Sequence, residues 1–117
     1  MNKTLKKLSR RVALSIAVTA CFSPLAQAAE LLTEGVFKVG MEVTYPPFES
    51  YDSNNNIVGI DPEFAALIAE HLKAKPQLID TKFTSLILGI GKKYDAVISG
   101  MYVTPERQKQ ADAIPYA

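Results

Sequence analysis

The sequence has few of the residues that carry most enzymatic and metal chemistry. It contains one cysteine, one histidine and no tryptophan among its 117 residues. A single cysteine cannot form an intrachain disulfide, and one cysteine with one histidine is too small a set of ligands for a transition metal. The sequence also lacks a phosphate-binding loop, a nucleophile elbow and a dinucleotide-binding glycine motif that follows a strand. We therefore expect neither a cofactor nor a bound metal.

The chain also lacks an apolar run long enough to span a membrane. Its most apolar stretch, residues 12–25, is too short and too interrupted for that purpose. A basic segment precedes this stretch and Ala26-Gln27-Ala28 follows it, which together form the three parts of a secretory signal peptide. We therefore predict a signal peptide over residues 1–28, which is cleaved, and export of the remainder to the periplasm.

Cys21 leaves a second outcome of export open. The segment that ends at this cysteine, V-T-A-C, resembles a lipoprotein processing site, at which Cys21 would be lipidated and become the first residue. The apolar segment continues past Cys21 to a good cleavage site, so the sequence favours export as a soluble protein over lipid anchoring.

The charge balance of the exported part argues against two classes of partner. Five of the 13 lysine and arginine residues lie in the leader and all 12 acidic residues follow it, which leaves 8 basic against 12 acidic residues. A mildly acidic chain without a basic run is not typical of proteins that bind nucleic acid or anionic membranes.

The hydrophobic pattern predicts alternating strands and helices. We predict strands at residues 36–41, 77–80 and 96–98, and a polar turn over residues 52–56. Helices are predicted from Asp61 up to Pro76, over residues 83–90, and from Pro105 to Gln110. Strand, helix and strand in this order imply two crossover connections, and thus a parallel sheet covered by helices.

The clearest predicted helix has a start signal and one apolar face. Asp61 is expected to be its N-cap, with Pro62 at the first helical position. Helical spacing predicts that one face packs on the sheet, formed by Phe64, Leu67, Ile68, His71 and Leu72.

Residues suited to ligand recognition follow the predicted strands. Glu42 and Tyr45 come after the first strand, and Ser99 and Gly100 come after the third. Arg107 lies in the first turn of the last helix, where a guanidinium group suits an incoming carboxylate. The alternative is an ordinary surface arginine in a strand–loop–helix segment. At the carboxyl ends of parallel strands, this set favours a small zwitterionic or carboxylate-bearing ligand.

Three motifs in order resemble one known family. They are V-T-Y-P-P-F-E at residues 43–49, I-V-G-I-D-P-E-F-A-A-L-I-A-E at 57–70 and K-Y-D-A-V-I-S-G-M-Y-V-T-P-E-R-Q-K-Q at 93–110. They are similar to the periplasmic polar amino-acid-binding proteins of ABC importers, the solute-binding proteins of family 3. The resemblance implies a type II periplasmic-binding fold of two lobes that close on a ligand, and delivery of that ligand by a monomer to an inner-membrane ABC permease.

The resemblance also implies roles for individual residues. Arg107 matches the arginine that pairs with the ligand carboxylate, and the backbone at Gly100 and Tyr102 matches the segment that meets the carboxylate and the ammonium group. Tyr45 and Phe83 match the aromatic pair that flanks the ligand side chain. Glu42 matches a position that is often acidic in members that take cationic amino acids, so a basic ligand is expected.

Some features depart from the family pattern. Tyr102 stands where serine or threonine is common, and a phenol there would narrow the pocket or select another side chain. The segment 86–91 lacks the usual proline and is one residue short, which implies a rotated or kinked second helix. Residues 29–117 are expected to form a partial N-terminal lobe, an incomplete α/β unit of strand–helix–strand–helix–strand order without the second lobe.

Three other readings remain open at this point. A periplasmic dehydratase of the same fold acts on a cyclic amino-acid precursor, and Glu42 would be the candidate acid or base here. A sensor module would ordinarily be fused to a transmembrane segment. An inactive, truncated product is the last alternative, because so small a lobe with an unfinished sheet edge folds poorly.

Overall fold

The computed structural model describes residues 30–117, and the predicted signal peptide and Cys21 lie outside the described residues. Five strands and two α-helices follow one another in this part of the chain, together with two short 3-10 turns at Phe83–Ser85 and Ile87–Gly89. In chain order they are β1 (Val36–Met41), β2 (Ser50–Tyr51), β3 (Ile57–Val58), α1 (Ile60–His71), β4 (Lys75–Asp80), β5 (Ala96–Val97) and α2 (Pro105–Gln108).

The main sheet is parallel, as the alternation of strands and helices predicts. Its order is β4-β1-β5, and β1 pairs in parallel with both neighbours. The central strand supplies three of the buried core side chains, Phe37, Val39 and Met41. The predicted α/β class and parallel sheet are therefore confirmed, with β1, the strand that carries these core residues, at the centre.

The polar segment 52–56 forms the predicted turn. It connects β2 to β3 in an antiparallel hairpin that pairs Ser50 with Val58 and Tyr51 with Ile57. The Asp52 carboxylate accepts hydrogen bonds from the backbone N–H groups of Asn56 at 2.9 Å and Asn54 at 2.8 Å. These bonds, with that from Asn56 foremost, hold the pKa of Asp52 below its usual value.

Helix α1 starts at Ile60, two residues before the predicted first helical residue Pro62, and the assignment of Asp61 as its N-cap is wrong. Gly59 is the N-cap, with φ of 131°, and an added Cβ there would lie 2.4 Å from the Phe48 carbonyl oxygen. The N–H groups of Ile60 and Asp61 donate to the carbonyls of Pro47 and Phe48 at 3.1 and 2.9 Å. The preceding loop thus satisfies N-terminal donors that a capping side chain would otherwise take.

The predicted packing face of α1 is also wrong in part. Phe64, Leu67 and His71 are exposed, whereas Ala65 and Ala69 are fully buried against the sheet. Small side chains let the helix backbone approach β1 closely, so its larger apolar residues fall at the margins of the contact. Helical spacing alone does not distinguish these two faces.

The helix predicted at residues 83–90 is replaced by the two 3-10 turns. The fully buried Tyr94 ring occupies the space beside Gly89, where an added Cβ would lie 2.4 Å from the ring. The Tyr94 hydroxyl donates to the carbonyl oxygen of Leu86, between the two turns. A backbone carbonyl engaged in this way and the weak helix propensity of glycine both oppose a continuous helix.

Helix α2 forms from the signals read in the sequence. Thr104 is its N-cap, Pro105 is the first helical residue, and the Thr104 hydroxyl accepts a hydrogen bond from the Arg107 N–H at 3.2 Å. Within residues 30–117, no helix combines the length and the apolar character that crossing a membrane requires.

Candidate functional site

A cavity of about 370 Å³ lies where the strands of the parallel sheet end. Its walls come from the segments that follow β1, β4 and β5 and from helix α2. All seven residues predicted from the sequence line it, together with two that were not predicted: Glu42, Thr44, Tyr45, Glu49, Phe83, Ser99, Gly100, Tyr102 and Arg107. The carboxyl-end geometry of a parallel sheet thus brings together residues that are far apart in the sequence.

Glu42 connects two of these segments. One carboxylate oxygen accepts a hydrogen bond from the Thr44 hydroxyl at 3.1 Å, and the other accepts one from the backbone N–H of Phe83. These bonds fix the carboxylate at the cavity wall. Each oxygen has a second lone pair, so the carboxylate keeps the capacity to accept from a ligand.

Arg107 lies on α2 and is half-buried. One guanidinium nitrogen, Nη1, donates to the carbonyl oxygen of Tyr102 at 2.8 Å, and the guanidinium carbon lies 5.4 Å from the centre of the Phe83 ring. The contact with the aromatic face and the bond to the loop orient the charged group, and its other N–H donors remain for a carboxylate. The Tyr102 side chain is 80% exposed, so its ring stands at the rim.

Two lining residues, Tyr45 and Gly100, bring two loops together at the cavity wall. The rings of Tyr45 and Phe48 stack with centroids 5.2 Å apart. Gly100 has φ of 56°, and an added Cβ would lie 3.1 Å from the Tyr45 ring. The loop after β1 and the loop after β5 are therefore in close contact at this point, which only a residue without a side chain permits easily.

Ser99 and Glu49 connect the cavity to the protein interior. Ser99 accepts a hydrogen bond from the Glu42 N–H at 3.0 Å and donates to Glu49 Oε1 at 2.6 Å. Glu49 is 1% exposed. Burial and, next, the neighbouring carboxyl of Asp61 raise the pKa of Glu49 from 4.5 to about 7.

Sequence reasoning missed Thr44 and Glu49 as lining residues. Both belong to the motif V-T-Y-P-P-F-E, which carried the family resemblance, but only Tyr45 was assigned a role from it. The sequence did contain a signal, because Glu49 directly follows Pro46-Pro47-Phe48. Neither helical nor strand periodicity explains an acidic residue at this position. Its burial, however, depends on Ser99, 50 residues away.

The cavity wall carries both a positively charged and a negatively charged side chain. Arg107 suits a carboxylate, Glu42 suits a cation, and Tyr45 and Phe83 offer aromatic faces. Within residues 30–117, no group of three or more histidine, cysteine, aspartate or glutamate residues is arranged to hold a metal ion. The lining thus fits an organic ligand that carries both charges.

Comparison with known proteins gives a consistent result. The model of the bacterial extracellular solute-binding proteins, family 3, matches residues 37–117. The ABC transporter arginine-binding protein 1 of Escherichia coli K12 is 44% identical over 102 residues, which cover 86% of this chain and 40% of that protein. The chain therefore spans about 40% of the length of that curated relative.

Two solved structures are similar in fold. The arginine-bound form of domain 1 from TmArgBP, a protein of T. maritima, has a TM-score of 0.63 and 43% identity, over 64% of this chain and 60% of that one. An ancestral cyclohexadienyl dehydratase, AncCDT-3(P188L), has a TM-score of 0.67 and 34% identity, over 71% of this chain and 35% of that one.

Proposed function

The chain belongs to the bacterial extracellular solute-binding proteins, family 3, and we propose that it is the part of a substrate-binding protein that recognises a cationic amino acid for an ABC importer. The observation that carries this proposal is the placement of Arg107 and Glu42 on one cavity, with Phe83 in contact with both. An amino acid with a basic side chain presents the complementary pair of charges.

Arg107 is proposed to bind the α-carboxylate of the ligand. Its guanidinium group is held by the Tyr102 carbonyl and lies over the Phe83 ring, so little side-chain freedom remains to be lost on binding. A guanidinium group presents paired N–H donors that match the two oxygens of a carboxylate.

Glu42 is proposed to select the basic side chain. Its carboxylate is fixed by Thr44 and by the Phe83 N–H, and the carboxylate therefore stays at the wall without a ligand. The rings of Tyr45 and Phe83 line the same cavity and suit the aliphatic part of an arginine or lysine side chain. Support also comes from relatives that are described as arginine-binding proteins.

The proposal includes a location and a partner. Family 3 consists of extracellular solute-binding proteins, and the predicted signal peptide agrees with export to the periplasm. The partner would be an inner-membrane ABC permease, which the protein would reach as a monomer. The acidic excess of residues 29–117 does not favour nucleic acid as a partner.

Recognition by this lobe alone is supported by one relative. Domain 1 from TmArgBP is described in an arginine-bound form, and its fold is similar to that of 64% of this chain. The alternative of an inactive, truncated product is therefore open to a direct test. Isothermal titration calorimetry of the purified chain with arginine, lysine, histidine, cystine, glutamine and glutamate provides it.

Micromolar binding of arginine or lysine, weaker binding of the neutral and acidic amino acids, and loss of binding in Arg107→Ala would support the proposal. Circular dichroism must first show that both proteins are folded. A folded chain that binds none of the six amino acids would overturn the proposal for this chain and favour the inactive product.

A dehydratase is the second candidate, because an ancestral cyclohexadienyl dehydratase has the same fold. Glu42, the acid or base expected for that reaction, has both carboxylate oxygens engaged by the chain itself. Glu49, whose pKa is raised to about 7, is the other carboxyl on the cavity. Turnover of a cyclohexadienyl substrate, abolished in Glu49→Gln, would favour the enzyme.

A further inference from the structure

Two buried carboxyl groups lie together beneath the cavity. Glu49, on the loop after β1, is 1% exposed and Asp61, on α1, is fully buried. The Asp61 N–H donates to the carbonyl oxygen of Phe48, the residue before Glu49, at 2.9 Å. After burial, the neighbouring Asp61 carboxyl is the main cause that raises the pKa of Glu49. Each has one oxygen, Glu49 Oε2 and Asp61 Oδ2, that is buried and has no hydrogen-bond partner among the described residues.

Two ionised carboxylates in this position would be strongly unfavourable. Both groups are withdrawn from water, and their charges would repel at short range. A single proton between the two orphan oxygens removes one charge and supplies the missing hydrogen bond at once. This arrangement satisfies every oxygen of the pair.

The outer oxygens of the pair hold the loop that follows β5. Glu49 Oε1 accepts from the Ser99 hydroxyl at 2.6 Å. Asp61 Oδ1 accepts from the Tyr116 hydroxyl at 2.6 Å, and that hydroxyl in turn accepts from the Gly100 N–H at 2.9 Å. Two adjacent residues of the cavity wall are thus tied, one to each carboxyl.

We propose that Glu49 and Asp61 share one proton, and that this shared proton holds Ser99 and Gly100 in the position in which they line the cavity. The two carboxyls are positioning residues, since they act on the ligand through the loop. The ligand effect rests on the proposed binding function, whereas the sharing of the proton does not.

The surroundings of the pair set the direction of its pH dependence. The other titratable groups that face Glu49 are Glu42 after β1 and Tyr116 in the C-terminal segment, which are acidic. None of the hydrogen bonds to the two carboxyls within residues 30–117 comes from a basic side chain. Nothing in contact therefore compensates a second negative charge. Loss of the proton at higher pH leaves two carboxylates that repel each other, and their separation displaces the loop residues bonded to them.

The test measures L-arginine affinity of the full chain by calorimetry from pH 5.5 to pH 8.5. We expect the dissociation constant to rise about fivefold or more as the pH passes through 7, which corresponds to the loss of about one hydrogen bond to the loop. Glu49→Gln, in which an amide N–H replaces the shared proton, should keep the low-pH affinity at every pH. A purely structural role of Glu49 would not flatten the profile in this way.

A second readout needs no ligand and separates this inference from the proposed function. Nuclear magnetic resonance of the chain should show the Glu49 carboxyl titrating near neutral pH. Hydrogen exchange of the Gly100 N–H, normalised to its intrinsic rate, should be slow at pH 6, become faster above pH 7, and stay slow in Glu49→Gln.

The outcomes are distinct. Failure of L-arginine to bind at any pH, with the resonance results as expected, would overturn the proposed function and keep the shared proton. A Glu49 carboxyl that titrates in the ordinary acid range, or Gly100 protection that is independent of pH, would overturn the inference. If Glu49→Gln does not fold, Asp61→Asn carries the same expectation, and the titration of the unmodified chain still decides.

Discussion

The guanidinium carbon of Arg107 lies 5.4 Å from the centre of the Phe83 ring, and the N–H of the same Phe83 donates to the Glu42 carboxylate. One residue therefore supports the only positively charged and one of the two acidic side chains that line the cavity described for residues 30–117. The Phe83 backbone N–H orients the Glu42 carboxylate, and the Phe83 ring orients the Arg107 guanidinium group. The two charged groups on the cavity wall are thus set in position by the loop after β4.

The first prediction concerns Arg107. Substitution Arg107→Ala should weaken binding of every amino-acid ligand about 10- to 100-fold, because a charge-assisted hydrogen bond to the ligand carboxylate is lost. Arg107→Lys should recover part of this loss, since it keeps the charge but not the fork of donors. Calorimetry measures both, and Lys109→Ala, an exposed cation two residues away, serves as the control.

The second prediction concerns selectivity. Glu42→Gln should weaken arginine and lysine binding about tenfold and leave neutral amino acids nearly unchanged, because only a charged side chain depends on the carboxylate. The experiment compares dissociation constants for arginine and glutamine, with Glu106→Gln on the exposed start of α2 as the control. An equal loss for both ligands would show that Glu42 acts only through the support of the Phe83 loop.

The third prediction concerns the segment that sequence reasoning assigned to a helix. Gly89→Ala would stabilise a helix by about 1 kcal/mol. In the structure the new methyl group would lie 2.4 Å from the Tyr94 ring, so we expect a loss of roughly 1–3 kcal/mol in the free energy of unfolding. Urea denaturation measures it, and Leu88→Ala, whose side chain is 71% exposed, should change little. A more stable Gly89→Ala would contradict this packing.

The fourth prediction concerns stability and pH. The folded-state pKa of Glu49 is raised from 4.5 to about 7, so the folded state binds this proton more tightly than the unfolded chain does. Its contribution to stability is complete below about pH 4.5 and is lost as the pH rises through about 7. The free energy of unfolding should therefore fall between pH 5 and pH 8, by roughly 1–3 kcal/mol.

Urea denaturation at four pH values in this range measures that fall. Glu49→Gln should remove most of it, whereas Glu63→Gln, at an exposed acid of α1, should leave it in place. A stability that rises toward pH 8 in the unmodified chain would have the opposite sign and would rule out the raised pKa.

Local signals in the sequence predicted the elements that depend on neighbours in the chain. The strand β1, the turn at 52–56 and the capped start of α2 all form as expected. Site residues could be predicted as candidates because the carboxyl ends of parallel strands meet at one edge, and all seven line a single cavity. Their roles in binding stay a prediction.

Long-range contacts decided what local signals did not. Tyr94 excludes a helix around Gly89, and the loop carbonyls of Pro47 and Phe48 take the role that an N-cap side chain was expected to have. Glu49 becomes a buried lining residue only through Ser99 and Asp61. Each of these relationships joins segments whose separation in the sequence hides it from periodicity or capping rules.

The strand order β4-β1-β5 has a consequence for when the cavity exists during folding. Glu42 is bonded to Phe83 across 41 positions and to Ser99 across 57. Such contacts form late in folding, because closing a long loop lowers the chain entropy before the contact itself contributes any stabilisation. A ligand that needs all three loops can bind only a chain that has completed its sheet. By mass action, a ligand that binds only the completed fold would lower the fraction of chains that are open to proteolysis.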